Sequence, residues 1–239
     1  MTEAYLTSLH GRQAPGAGAR RSEAKRDKLG KREGNKADKL RRIRTAALAL
    51  FSRQGFEATT LRQIAKRAHV ALGTLSLYAD DKSDLVVLIF NEIVPGIIDN
   101  ADKAARRHSR LLDQLVAFFG EFYKDIASNV ALARTHHQLN FHSTGRHAAE
   151  YSGHRGRVFA LLETMISDAK KAGQITTREN PALIARHIFF CYTAAARWWV
   201  ATQEPDLEQG LGELHNLFRL QITGLRPARA TPRTPRRRR

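Results

Sequence analysis

Between Thr60 and Lys82 the chain carries side chains suited to holding and reading a DNA duplex. Arg62 offers a guanidinium, and the amides and hydroxyl near Thr60 can join it on phosphate oxygens. Tyr78 and Lys82 suit the phosphate backbone, where they would fix register. Leu72, Thr74, Leu77 and Tyr78 would face a major groove. Leu72 brings apolar contact for a thymine methyl, and Thr74 a small hydrogen-bonding group. Gly73, with Ala65, permits the close helix crossing such a unit needs. Leu77 has two readings, groove contact or internal packing. No arginine lies in residues 71–78, so bidentate reading of guanine is absent there. Apolar contacts, DNA shape and basic arms must then carry more of the recognition.

Other candidate chemistry is thinner. His136, His137, His142, His147 and His154 suggest a metal site, but their spacing lacks a compact ligand pair with carboxylate or cysteine support. Surface or pocket histidines are the better reading, and neither metal nor cofactor is expected. Gly16-Ala17-Gly18 follows no strand and opens no helix, so it is no nucleotide loop. No nucleophile–base constellation stands out, which argues against an enzyme. Cys191 is the sole cysteine, excluding an internal disulfide and fitting a reducing cytoplasm.

The groove-facing residues need short helices to position them. From Leu40, the apolar Ile43, Ala46, Ala47, Leu50 and Phe51 recur at helical spacing, and Gly55 suits a left-handed helix end. Thr60 with Gln63 three residues on forms a capping-box pattern. Leu61, Ile64, Ala65 and Ala68 make the buried face of that helix, Val70 plugs the gap, and 72–78 form a second short helix. Asp81 would cap the next.

The run Ala46-Ala47…Phe51…Gly55-Phe56…Thr59-Thr60…Ile64-Ala65…Val70…Gly73-Thr74-Leu75…Tyr78…Lys82…Leu85 resembles the TetR family of bacterial transcriptional regulators. The agreement spans about fifty residues; beyond Phe90 the resemblance is architectural only. It implies an all-α fold: an N-terminal three-helix helix-turn-helix domain followed by a larger helical ligand-binding and dimerisation domain. Ser76 and Ala79 stand where family members usually have aromatics, His69 where a glycine is common, and Ala71 where a capping serine is common. Asp80 and Asp81 add negative charge close to where phosphates should lie.

Charge placement gives an independent indication. The net charge is +17. Residues 1–36 hold nine Lys/Arg against four acids, residues 37–82 the same, residues 83–225 fifteen against fifteen, and residues 226–239 seven arginines and no acid. The excess sits on the motif and the two ends, as a DNA-reading unit joined to a neutral sensing domain requires. Residues 1–36 and 226–239, poor in apolar groups, are expected to be disordered basic arms that add salt-sensitive affinity. The domains are then 37–82 for DNA binding and 83–225 for effector binding and dimerisation.

Helices are expected at 82–100, with Pro95 a candidate kink, then at 105–127, 129–140, 147–172, 181–202 and 206–224, with Asn180-Pro181 a start signal. Ile184, Ile188, Cys191, Ala195 and Trp198 share one stripe, and Leu207, Leu211, Leu214, Phe218 and Ile222 another. Paired across two subunits they would form a four-helix homodimer bundle, with internal packing the alternative for about half of them. Phe118, Phe119, Phe122, Tyr123, Phe159, Met165, Phe189 and Tyr192 are candidates for an effector pocket taking an apolar or amphipathic molecule. No signal peptide or membrane span is read, and a cytoplasmic protein is expected. The leading expectation is a dimeric repressor on palindromic double-stranded DNA, released by a small-molecule effector through the helix from Lys82, whose middle (Ile93) would be the lever. The alternative is a non-sensing architectural DNA-binding protein that uses its basic tails for broad phosphate contact.

Overall fold

The computed structural model describes residues 17–138 and 145–224, and every regular element among them is a helix. In order these are α1 (Ala17–Gln54), α2 (Leu61–Arg67), α3 (Leu72–Leu75), α4 (Lys82–Ala105), α5 (Leu111–Ser128), α6 (Val130–Gln138), α7 (Ala148–Lys171), α8 (Pro181–Ala201) and α9 (Leu207–Gly224).

Local chemistry explains the boundaries. Gly55 takes a positive φ of 81° and ends α1. Thr60 and Gln63 make the full capping box at the start of α2. The Asp81 carboxylate accepts from the Asp84 amide at 2.7 Å to start α4. Asn180 accepts from the Ala182 amide at 2.8 Å, with Pro181 in the first turn of α8. Gly173, at φ 69°, stops α7. Helix α4 continues through Pro95 to Ala105, five residues past the expected end, and α5 starts only at Leu111. Helix α3 is a single turn rather than the expected 72–78: past Leu75 the chain tightens, with the Leu77 amide donating to the Thr74 carbonyl and the Tyr78 amide to the Leu75 carbonyl.

One boundary expectation fails. Residues 17–36 belong to α1, not to a structureless arm. Their Ala, Arg, Lys and Glu are strong helix formers and no proline interrupts them, so low apolar content alone was a poor guide. Residues 1–16 and 226–239 lie outside the described residues.

Two cores fill the molecule. The first joins Ile43, Ala47 and Phe51 of α1 to Ile64 and Ala65 of α2, Leu75 of α3 and Leu85, Val86 and Ile89 of α4; Leu132 of α6 completes it. The second lies among α5, α7, α8 and α9 around Phe118, Phe119, Leu162, Ile188 and Phe218. Helix α4 contributes to both, and Val94 packs against each. Glycine is required where α9 meets α8: a Cβ on Gly210 would come within 2.8 Å of the Trp199 ring.

Candidate nucleic-acid interface and effector cavity

The helix-turn-helix presents its second half to solvent. Ile64 and Ala65 of α2 and Ala68 just past its end face inward with Leu75 and Ala79, all nearly inaccessible. On the opposite side Leu72 is 41% and Leu77 76% exposed. Both side chains are thus open to contact from outside the protein. This disposes of internal packing for Leu77. Thr74 is half-buried and Arg62 exposed beside them. The turn between the helices places His69 at φ 53°, a left-handed conformation that normally favours glycine. Arg42 of α1 holds that turn, donating to the carbonyls of Ala68 at 3.3 Å and His69 at 3.4 Å.

A cavity of about 340 Å³ lies among α4, α5, α6, α7 and α8. Val87, Phe90, Ile93, Val94 and Ile97 of α4 form one wall, and Phe122 and Ile126 of α5 another. Leu132 and Ala133 of α6, Val158 of α7, and Phe189 and Tyr192 of α8 enclose the rest. The polar lining is concentrated on His136, His137, Tyr151, His154, Arg155 and Arg197, with Asp125 on α5. Tyr151 Oη and His136 Nε2 are 2.6 Å apart. Burial pushes His136 down to about 3, with His137 adding to it. Burial and then the Arg197 charge push His137 down to about 4. Burial raises Tyr151 to about 12. At neutral pH both imidazoles and the phenol are therefore uncharged, leaving Arg155 and Arg197 as the cavity's positive groups. His154 Nε2 is buried without a hydrogen-bond partner, a polar atom open to a ligand.

The profile of bacterial regulatory proteins of the tetR family matches residues 43–89. The chain is also similar to the HTH-type transcriptional repressor KstR of Mycolicibacterium smegmatis, 29% identical over 151 residues that make up 63% of this chain and 71% of that one. Residues 43–89 therefore form a TetR-family DNA-binding domain. The chain's fold is that of solved family members. FadR of Bacillus subtilis, in complex with stearoyl-CoA, matches with a TM-score of 0.63 at 20% identity, covering 77% of this chain and 97% of that one. Thermus thermophilus FadR, in complex with lauroyl-CoA, gives 0.61 at 21% identity, with 82% and 98% covered.

Around this domain the candidate residues take several different places. Thr60 does not leave its own amide or hydroxyl free: the amide donates to Gln63 Oε1 at 2.8 Å and the hydroxyl receives the Gln63 amide. Gly73 is exposed with nothing within 4 Å of an added Cβ, so it keeps the surface flat rather than permitting a helix crossing; Ala65 alone sits at the crossing. The Lys82 ammonium turns inward, donating to the carbonyls of Phe56 at 2.8 Å and Glu57 at 3.1 Å and lying over the Phe56 ring. It ties α4 to the loop before α2 instead of reaching for a phosphate. Tyr78 is half-buried and its hydroxyl donates to the Lys36 carbonyl at 3.3 Å. Asp80 is paired with Arg146, so its charge is partly neutralised.

Of the pocket candidates, Phe122, Phe189 and Tyr192 line the cavity. Phe118, Phe119, Tyr123 and Met165 are buried in the second core instead. Phe159 packs edge-on against Phe189 at 4.8 Å, behind the lining. An aromatic at helical spacing is ambiguous between core and cavity until the neighbouring helices are placed. Ile184, Ile188, Ala195, Leu214 and Phe218, read as dimer contacts, are likewise buried within the protomer, and Leu211 is half-buried. Trp198, at 72% exposure, remains outward. Leu183, Phe190 and Ala194 of α8 are exposed as well. Leu220 is the exposed apolar residue of α9. Among the histidines, His136, His137 and His154 border the cavity while His147 points elsewhere; His142 lies outside the described residues. Among the described residues no three His, Cys, Asp or Glu side chains gather where an ion could be held. No described helix is long and apolar enough to cross a membrane.

Proposed function

We propose that the protein is a dimeric repressor that binds a palindromic operator and is released by an amphipathic small molecule, with long-chain acyl-CoA thioesters the first class to test. The observation that carries this is the placement of the cavity. Helices α4, α6 and α7 border it and also pack on or against the DNA-reading core, so occupancy cannot leave the recognition segment's support untouched. Its lining suits the ligand class: aliphatic and aromatic walls for a chain, with Arg155, Arg197 and the unpartnered His154 for a polar or anionic head. The acyl-CoA ligands of the two FadR complexes and the repressor activity for which the KstR relative is named support the same direction.

Arg62, Leu72, Thr74 and Leu77 carry DNA contact in this reading, and Gly73 lets the backbone approach. Subunits pair through the outward face of Leu183, Phe190 and Trp198 on α8 with Leu220 on α9, which sets two reading heads roughly one DNA turn of about 34–36 Å apart. Fluorescence anisotropy of a labelled operator titrated with lauroyl-CoA tests the release. Lauroyl-CoA should dissociate the complex, and widening the polar end by Arg197→Ala should weaken that response. An operator complex indifferent to acyl-CoA chains of every length would remove this effector class.

A further inference from the structure

The cavity and the recognition segment are joined by a short structure at the start of α7. Arg146 is ion-paired with Asp80, and its Nη1 donates to the Leu77 carbonyl at 2.9 Å. His147 Nε2 lies 2.6 Å from the Tyr78 carbonyl. A carbonyl can only accept, so the His147 proton sits on Nε2. These bonds engage the end of the DNA-reading segment at three points, 77, 78 and 80. Beneath them is Asp84, only 4% exposed, whose carboxylate accepts from the amides of Asp80 at 3.0 Å and His147 at 3.3 Å. Gly145 has to be glycine here, since an added Cβ would fall within 2.8 Å of the Asp84 Cγ. The His147 carbonyl is held in turn by the Asn91 amide at 3.0 Å, from the middle of α4.

The same helix reaches the cavity within two turns. Tyr151, His154, Arg155 and Val158 all line it. At about 1.5 Å per residue, Tyr151 is roughly 6 Å and His154 roughly 10 Å along the axis from His147. A ligand head that engages His154 or Arg155, or parts Tyr151 from His136, must act on the turn that grips the recognition segment. Helix α4 also holds this segment, through the chain at Asp81, through Asp84 and through Ala79 in the core it shares with Leu85 and Ile89.

We infer that Arg146 and His147 form a latch through which α7, and not α4 alone, sets the orientation of the recognition segment according to what the cavity holds. The latch rests on the effector reading above. Arg146 and His147 are positioning residues: they touch neither ligand nor DNA. Tightening or shifting α7 moves Leu77, which protrudes next to the carbonyl that Arg146 holds.

The test compares wild type with Arg146→Met and Asp80→Asn, and with Arg44→Met, which removes the α1–α4 ion pair to Glu92 at 2.8 Å. The readout is the ratio of operator Kd with and without saturating lauroyl-CoA, alongside the affinity for lauroyl-CoA itself. Ligand–operator couplings of this kind run to roughly 5–150-fold. Arg146→Met and Asp80→Asn should collapse the ratio to below about threefold while lauroyl-CoA affinity stays within about twofold. Arg44→Met should keep the ratio. A full ratio in both latch variants would overturn the inference. A wild-type protein that ignores lauroyl-CoA would instead sink the effector assignment, and a ligand-free measurement then decides the latch. In hydrogen exchange of the free protein, Arg146→Met should speed amides 76–80 by about tenfold relative to α2; identical protection would overturn the latch.

Discussion

Leu77 offers the sharpest separation of DNA contact from folding. The side chain is 76% exposed in the free protein, so its truncation removes little that holds the fold together. Fully burying a leucine contributes about 1.5–3 kcal/mol, and three quarters of that surface remains available to a DNA groove. Leu77→Ala should therefore weaken operator binding by about 1–2 kcal/mol, which corresponds to roughly a 5- to 30-fold rise in Kd. The melting temperature should stay put, since an exposed substitution of this kind is worth within about 0.5 kcal/mol. Because leucine neutralises no phosphate, the slope of log K against log salt should not change, and affinity for non-specific duplex should be preserved. Anisotropy titrations at three salt concentrations, on operator and scrambled DNA, with a parallel thermal melt, give all three quantities. A large fall in melting temperature with operator affinity intact would refute the placement of Leu77 on the DNA-facing side.

Other substitutions probe other parts of the account. Lys82→Met removes two hydrogen bonds to loop carbonyls and the contact over Phe56, so it should cost about 1 kcal/mol of stability and leave the salt slope unchanged; a slope reduced by about 1 with no loss of stability would return Lys82 to the phosphates. His136 and His137 have folded pKa values near 3 and 4, below the unfolded value of 6.5. The unfolded chain thus takes up protons first, and their stability contribution is present above about pH 6.5 and is lost as pH falls towards 4. Chemical denaturation across that window should show His136→Phe flattening the decline, and a variant as steep as wild type would count against buried neutral histidines. Trp198→Glu should halve the mass measured by sedimentation velocity and abolish tight binding to the palindrome. A variant that stays dimeric would move the interface elsewhere.

Local chemistry was readable from the chain, and tertiary choice was not. The capping box at Thr60, the left-handed Gly55, the Asp81 cap and the Asn180-Pro181 start each depend on residues within a few positions of each other, and each appears where the pattern put it. The helices of the larger domain likewise fall within a few residues of their expected limits, apart from the α4–α5 junction. Which stripe of α8 faces inward was not readable, because Ile184-Ile188-Ala195 and Leu183-Phe190-Trp198 both repeat at helical spacing and differ only in what packs on them. The cavity suffered the same ambiguity: Phe118 and Phe122 are one turn apart, yet one is core and the other lining. Lys82 folds back onto loop carbonyls in the free protein, a choice that a lysine at a helix start does not announce. Arg146 and His147 carried no signal at all towards the DNA, their partners lying 66 and 69 positions away.

The most direct measurement is to recover the sites bound by the purified full-length protein from fragmented genomic DNA of its host and compare them with those bound by a Leu72→Ala/Leu77→Ala variant. The account predicts a small set of sites sharing an inverted repeat, lost in the variant although both proteins fold. Recovery of sequence-indifferent fragments, unchanged by the variant and abolished only when the basic ends are removed, would contradict it.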